Sequence, residues 1–193
     1  MLKNTLIHQN IIRIINYKKM EKFNTEIIFE FHKKNLKEWA STQSVIDRVK
    51  QISDHYNQNR QIRGQVKREI NPEFILIHTF AHILINQFSY ECGYGSSSLR
   101  ERIYSNLENK KEEMAGVLIY TASGDSEGSL GGLVRQGKPG NLEKIVFHAI
   151  ENSRWCSSDP ICIESKGQGP NSCNLAACHN CSLLPETCCE ESN

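Results

Sequence analysis

Hydrophobic and polar positions along the chain follow two rhythms, and then none. The segment TEIIFEF (25–31) sets apolar side chains at every second position, the period of a strand with one buried face. Residues 33–60 are mostly polar, but Leu36, Trp39, Val45, Val49 and Ile52 recur at helical spacings and predict helix with a buried stripe. A basic connector, QIRGQVKREI (61–70), leads to Pro72, a residue suited to the first turn of a helix. The run FILIHTFAHILINQF (74–88) is too continuously apolar for a surface helix and predicts a buried one, ended by Gly93 and Gly95. SSSLRERIYS (96–105) reads equally as short helix or strand, and ENKKEEM (108–114) as an exposed turn. GVLIYTA (116–122) is the clearest strand, and the loop SGDSEGSLGG (123–132) follows it. In 141–155, Leu142, Ile145, Val146, Ala149 and Ile150 share one face of an amphipathic helix. Beyond 156 the periodicity stops. The pattern predicts a mixed α+β (α/β) domain over 25–193: a small sheet, a helix buried against it, and a cysteine-rich segment at 155–191. Residues 1–24 read as a poorly specified leader.

Charge changes this picture only by its placement. Formal net charge is +1, which says nothing about partners, but residues 1–70 carry fourteen lysines and arginines against seven acids. A basic front half suits phosphate backbones or an acidic partner, and it is equally what a solvated helical surface looks like. Arg63, Lys67 and Arg68 of the connector are the candidate phosphate contacts. No run approaches the roughly 18 apolar residues of a membrane span. The opening MLKNTLIHQNIIRIINYKKM has its apolar run broken by His8, Asn10 and Arg13, with no cleavage-site pattern behind it, so a cytoplasmic protein is expected.

The cysteines carry the strongest chemical signal. There are eight, and seven fall between 156 and 189. In a reducing compartment, such clustering with short spacings points to metal and not to disulfides. Cys156 and Cys162 stand around the turn SSDP, where the preceding helix should end, and Cys178 and Cys181 form a CxxC knuckle. Two such pairs aim four thiolates at one Zn²⁺, a closed and therefore structural centre. Cys156, Cys162, Cys178 and Cys181 are the first choice, with Cys189 the leading substitute and His179 a weaker one.

Other constellations are less specific. His78 and His82 of HTFAH lie at i and i+4 on one helix face, the geometry of the HExxH zinc motif, but Thr79 stands where the general-base Glu belongs. Such a pair is more often a hydrogen-bonded core feature; as a second metal site it needs outside carboxylates, for which Asp125 and Glu127 are the candidates. Gly132-LVRQ-Gly137-Lys138 matches the front of a P-loop, but Pro139 replaces the Mg²⁺-binding Ser/Thr and no strand of its own precedes it, so nucleotide hydrolysis is rejected. Nothing around Cys92 in ECGYGSS would activate a nucleophile.

Four separated motifs, in order, add a resemblance. LIHTFAHILINQFSYECGYGSSSLRERIYS, GVLIYTASGDSEGSLGGLVRQG, RWCSSDPIC and NLAACHNCSLLPETCCE together resemble the C-terminal region of DrmB proteins, components of the bacterial DISARM anti-phage system. That region is similar to the helicase-associated zinc-binding domain of MrfA-type DNA repair helicases. The resemblance covers about residues 25–191 of a much longer family pattern. It implies a zinc-binding, antiviral-defence module without a motor, working with a DNA helicase of the DrmA type. It also implies metal ligation by Cys156 and Cys162 (the WCxxDPxC element), Cys178 and Cys181 (CHxC) and Cys189 (PETxC), five cysteines for four places. Cys173 and Cys188 read as incidental thiols.

Three functions follow as expectations. The first is a non-enzymatic accessory module that binds DNA weakly and non-specifically by itself and acts with a helicase. The second is a metal-dependent hydrolase using His78, His82, Asp125 and Glu127. The third is a truncated remnant without a partner.

Overall fold

A computed structural model describes residues 15–18, 26–93, 95–107, 113–121, 133, 136, 140–169, 173–185 and 187–191. Its architecture is α+β. Strands β1 (Ile15–Lys18), β2 (Glu26–Phe31), β3 (Leu99–Asn106) and β4 (Met114–Thr121) form an antiparallel sheet in the order β1-β2-β4-β3. The helices are α1 (Lys33–Ala40), α2 (Gln43–Ile62), α3 (Pro72–Cys92), α4 (Leu142–Asn152) and the single turn α5 (Ile161–Glu164). β1 falls within the stretch read as a leader and pairs along β2 from Ile15↔Phe31 to Lys18↔Ile28. The ambiguous 96–105 segment resolves into a short 3-10 turn, Ser96–Ser98, followed by β3.

Helix α3 is the centre of the molecule. Asn71 caps it, its side-chain oxygen accepting from the Phe74 amide at 2.9 Å, and Pro72 occupies the first turn. It stops at Gly93, whose φ of 71° is the left-handed cap that glycine takes without a Cβ penalty. Between these limits it is apolar on nearly every side, because it has neighbours on nearly every side. One face lies on the sheet, where Phe80 meets Phe29 and Phe31 edge-on at 5.5 and 5.4 Å. The others take α1, α2 and α4. Leu36, Trp39, Val45, Val49 and Ile52 of α1 and α2 are all buried, as are Leu142, Ile145, Val146, Ala149 and Ile150 of α4. The buried Gln87 amide is satisfied between Glu91 and Asn152 of α4.

The inner face of the sheet alternates as a half-buried sheet should: Ile27, Phe29 and Phe31 on β2, Ala115, Val117 and Ile119 on β4. On β3 the inward positions are Leu99, Glu101 and Ile103, and Glu101 pairs with Ile119, itself paired with Ile27. A carboxylate thus stands in an apolar row facing α3, only 4% exposed. β3 is an edge strand, and residues 187–191 lie along it. Ile103 donates its amide to the Glu190 carboxylate at 2.7 Å, and Arg100 bonds the Thr187 carbonyl.

Candidate metal centre

The cysteine-rich segment begins where α4 ends. After Asn152 the chain turns outward through the exposed Trp155, then buries Cys156. Asp159 organises the next turn: its two carboxylate oxygens accept the amides of Cys156 (3.1 Å) and Ile163 (3.0 Å), which orients α5 and the buried Cys162 on its first turn. Some twenty residues later, the amides of Cys181 and Ser182 both donate to the Cys178 carbonyl at 3.0 Å, folding the CxxC into a knuckle.

These two turns bring four thiols together. Cys156 Sγ is 3.5 Å from Cys178 Sγ, Cys162 Sγ is 3.9 Å from Cys181 Sγ, and Cys178 and Cys181 are 3.8 Å apart. Four thiolates bound tetrahedrally to one Zn²⁺ at ~2.3 Å would stand about 3.8 Å from each other. The sulfurs also have N–H donors, which favour thiolate over thiol: Ser158 N to Cys156 at 3.4 Å, Cys178 N to Cys181 at 3.3 Å, and Gln168 Nε2 to Cys162 at 3.5 Å. Spacing, donor chemistry and burial therefore fit a tetrahedral zinc. Without a cation the four cannot ionise together. Burial and neighbouring thiols push Cys178 up to about 12; burial also acts upward on Cys156, but the Ser158 amide and its neighbours outweigh it and lower that thiol.

Cys189 is elsewhere. It lies with His78, His82 and Glu101, a second group whose nitrogen, oxygen and sulfur atoms are all within 4.8 Å of one another. His78 Nε2 is 3.1 Å from Cys189 Sγ and 3.3 Å from Glu101 Oε1; His82 Nε2 is 3.5 Å from that oxygen. His82 Nδ1–H donates to the Ser182 carbonyl at 2.8 Å, so in the neutral ring Nε2 carries the lone pair. Burial opposes every charge here, but mutual pairing overcomes it: His78 is raised to about 10, Glu101 is held down at about 2, and Cys189 is lowered to about 7.

The other predicted site residues are dispersed. His179 is exposed. Cys188 is buried in the main core, and Cys173 is half-buried against Asn59, outside both groups. Arg63 and Lys67 are exposed, but both terminal nitrogens of Arg68 reach the Glu191 carboxylate, at 2.5 and 2.7 Å. Asp125 and Glu127, proposed as partners of the histidine pair, lie outside the described residues; the carboxylate that does meet the pair is Glu101. Its signal was present in the sequence, as an acid in phase with Leu99 and Ile103, and depended on reading that segment as strand.

Against models of known families, residues 80–182 match the MrfA Zn-binding domain. The match takes in the later part of α3, β3, β4, α4 and all four converging cysteines, and the chain belongs to this family. Among individual proteins, it is 38% identical over 169 residues to the DISARM protein DrmB of Bacillus paralicheniformis, an alignment covering 86% of this chain and 29% of that relative. The chain thus spans less than a third of the length of the relative it matches.

Proposed function

We propose that the protein is a non-catalytic zinc-binding component of a DISARM-type anti-phage system, working in the cytoplasm beside a DNA helicase of the DrmA type. The convergence of Cys156, Cys162, Cys178 and Cys181 inside the region matching a zinc-binding family carries this reading. These four are the zinc ligands. All four positions are filled by protein, so the centre holds structure and has no place for a reacting water. No helix among the described residues is long and apolar enough to cross a membrane.

DNA enters through the basic connector and the helices before it, where Arg63 and Lys67 are exposed. No helix among the described residues offers an aromatic-interleaved single-strand platform, so binding by the chain alone is weak, non-specific and dominated by phosphate contacts. The test is fluorescence anisotropy with duplexes of unrelated sequence at rising salt, together with co-purification with a DrmA-type helicase. The expected result is steep salt dependence, with Arg63→Glu plus Lys67→Glu weakening every sequence alike. Tight, salt-insensitive binding of one sequence would exclude this reading. Helicase binding without DNA binding at any salt would make the basic face a protein-docking surface instead.

A further inference from the structure

We infer that His78, His82, Glu101 and Cys189 form a second metal site, for a divalent cation of the zinc class, that fastens the C-terminal segment onto α3 and β3.

The donors come from three places that the fold alone unites. The histidines are one turn apart on α3, Glu101 points inward from edge strand β3, and Cys189 arrives 111 residues after His78. Four ligand atoms at about 2.0–2.3 Å from one ion would be roughly 3.3–3.6 Å apart, the range of the His78–Glu101 and His82–Glu101 contacts.

Two observations point to a cation between them. His82 is 5% exposed and Glu101 4%, yet His82 Nε2 and Glu101 Oε2 have no hydrogen-bond partner among the described residues. Buried polar atoms left in this state are costly. Moreover, with Nδ1–H donating to the Ser182 carbonyl, a neutral His82 ring presents its Nε2 lone pair toward the Glu101 carboxylate, and a shared cation makes that arrangement attractive. A backbone carbonyl fixing the far ring nitrogen is also how metal-bound histidines are usually oriented.

The donor set selects the ion. Imidazole and thiolate favour zinc-like metals over Mg²⁺ or Ca²⁺. One thiolate, one carboxylate and two neutral imidazoles around a divalent ion make an electrically neutral centre, as a buried position demands. Four protein donors close the shell, so the role is a clasp. The Glu190 and Thr187 contacts to β3 show the same segment already laid along that strand. The two centres adjoin through Ser182, whose carbonyl holds His82 and whose hydroxyl is 3.2 Å from Cys181 Sγ.

The test is elemental analysis and zinc-edge X-ray absorption on the whole chain, purified from zinc-supplemented cells. Two zinc ions per chain are expected, with about two or three sulfurs per zinc on average, midway between one all-sulfur and one mixed centre. His82→Ala or Glu101→Gln should each leave one zinc in an all-sulfur shell. Cys178→Ser should leave one zinc with nitrogen, oxygen and a single sulfur. One zinc in a purely sulfur shell in the unmodified chain overturns this inference, means the four side chains share protons only, and leaves the four-cysteine centre standing. One zinc in the mixed shell does the reverse. Because the unmodified chain alone separates these outcomes, a variant that fails to fold does not blunt the test.

Discussion

The sheet with its helices and the cysteine-rich segment are held by different physics. The described residues of 26–152 bury large side chains; Phe29, Phe80, Phe88, Leu84 and Ile85 are fully inaccessible, and the helices and strands hydrogen-bond their own backbone. The described residues of 156–191 have one four-residue helix and an isolated bridge, Gln168↔Asn174. Their buried side chains are mainly cysteine, alanine and leucine. Leu183 and Leu184 join the main core, whereas Cys156 and Cys162 do not. A segment with so little apolar surface to bury cannot offset its chain entropy by packing alone. Here the thiols replace a hydrophobic core and do not decorate one.

The largest expected effect follows from that contrast. Structural zinc can supply on the order of 10 kcal/mol or more of apparent folding free energy. Cys178→Ser should therefore release the four-cysteine zinc and open residues 156–181 to protease and rapid amide exchange, while α3, α4, the sheet and the stretch around Cys189 keep their protection. Equal protection of the segment with and without that metal would mean that packing alone holds it.

The reverse experiment acts on the core. Phe80→Ala removes a ring wedged between Phe29 and Phe31, and such a change typically costs about 3–5 kcal/mol. Urea unfolding should show the loss while the zinc content of the folded protein stays unchanged. A variant that loses zinc before it loses the sheet would show that the two regions do not separate.

The same contrast governs what could be read from sequence. Periodicity reports burial of local elements, so the buried α3, the stripe of α4 and strands β2 and β4 were legible. Cysteine spacing reports turns that gather thiols, so the convergence of the pairs Cys156/Cys162 and Cys178/Cys181 was legible too. Neither signal reports which distant elements meet. Cys189 read as a fifth member of the nearby cysteines, yet the chain carries it past them to α3. Glu101 was lost because LRERIY satisfies helix and strand alike until its pairing with β4 fixes the register. β1 was missed because INYK joins the sheet through backbone pairing with β2, which a four-residue polar–apolar mixture does not announce.

The smallest effect sharpens the boundary between the two regions. Arg68 of the basic connector and Glu191 of the C-terminal segment tie them at the surface, with side chains 44% and 29% exposed. Exposed pairs of this kind are worth about 0–1 kcal/mol, so Glu191→Gln should barely move the unfolding midpoint. Its consequence should appear in DNA binding instead. The substitution removes one negative charge and frees a guanidinium that the intact pair withholds from phosphate. One added phosphate contact steepens the dependence of log affinity on log salt by about 0.9. Anisotropy titrations at several salt concentrations should therefore show tighter binding at low salt and a steeper slope for Glu191→Gln, and neither change when Arg68→Ala is added. An unchanged slope would take Arg68 out of the phosphate-binding face and leave it as a tether between the two regions.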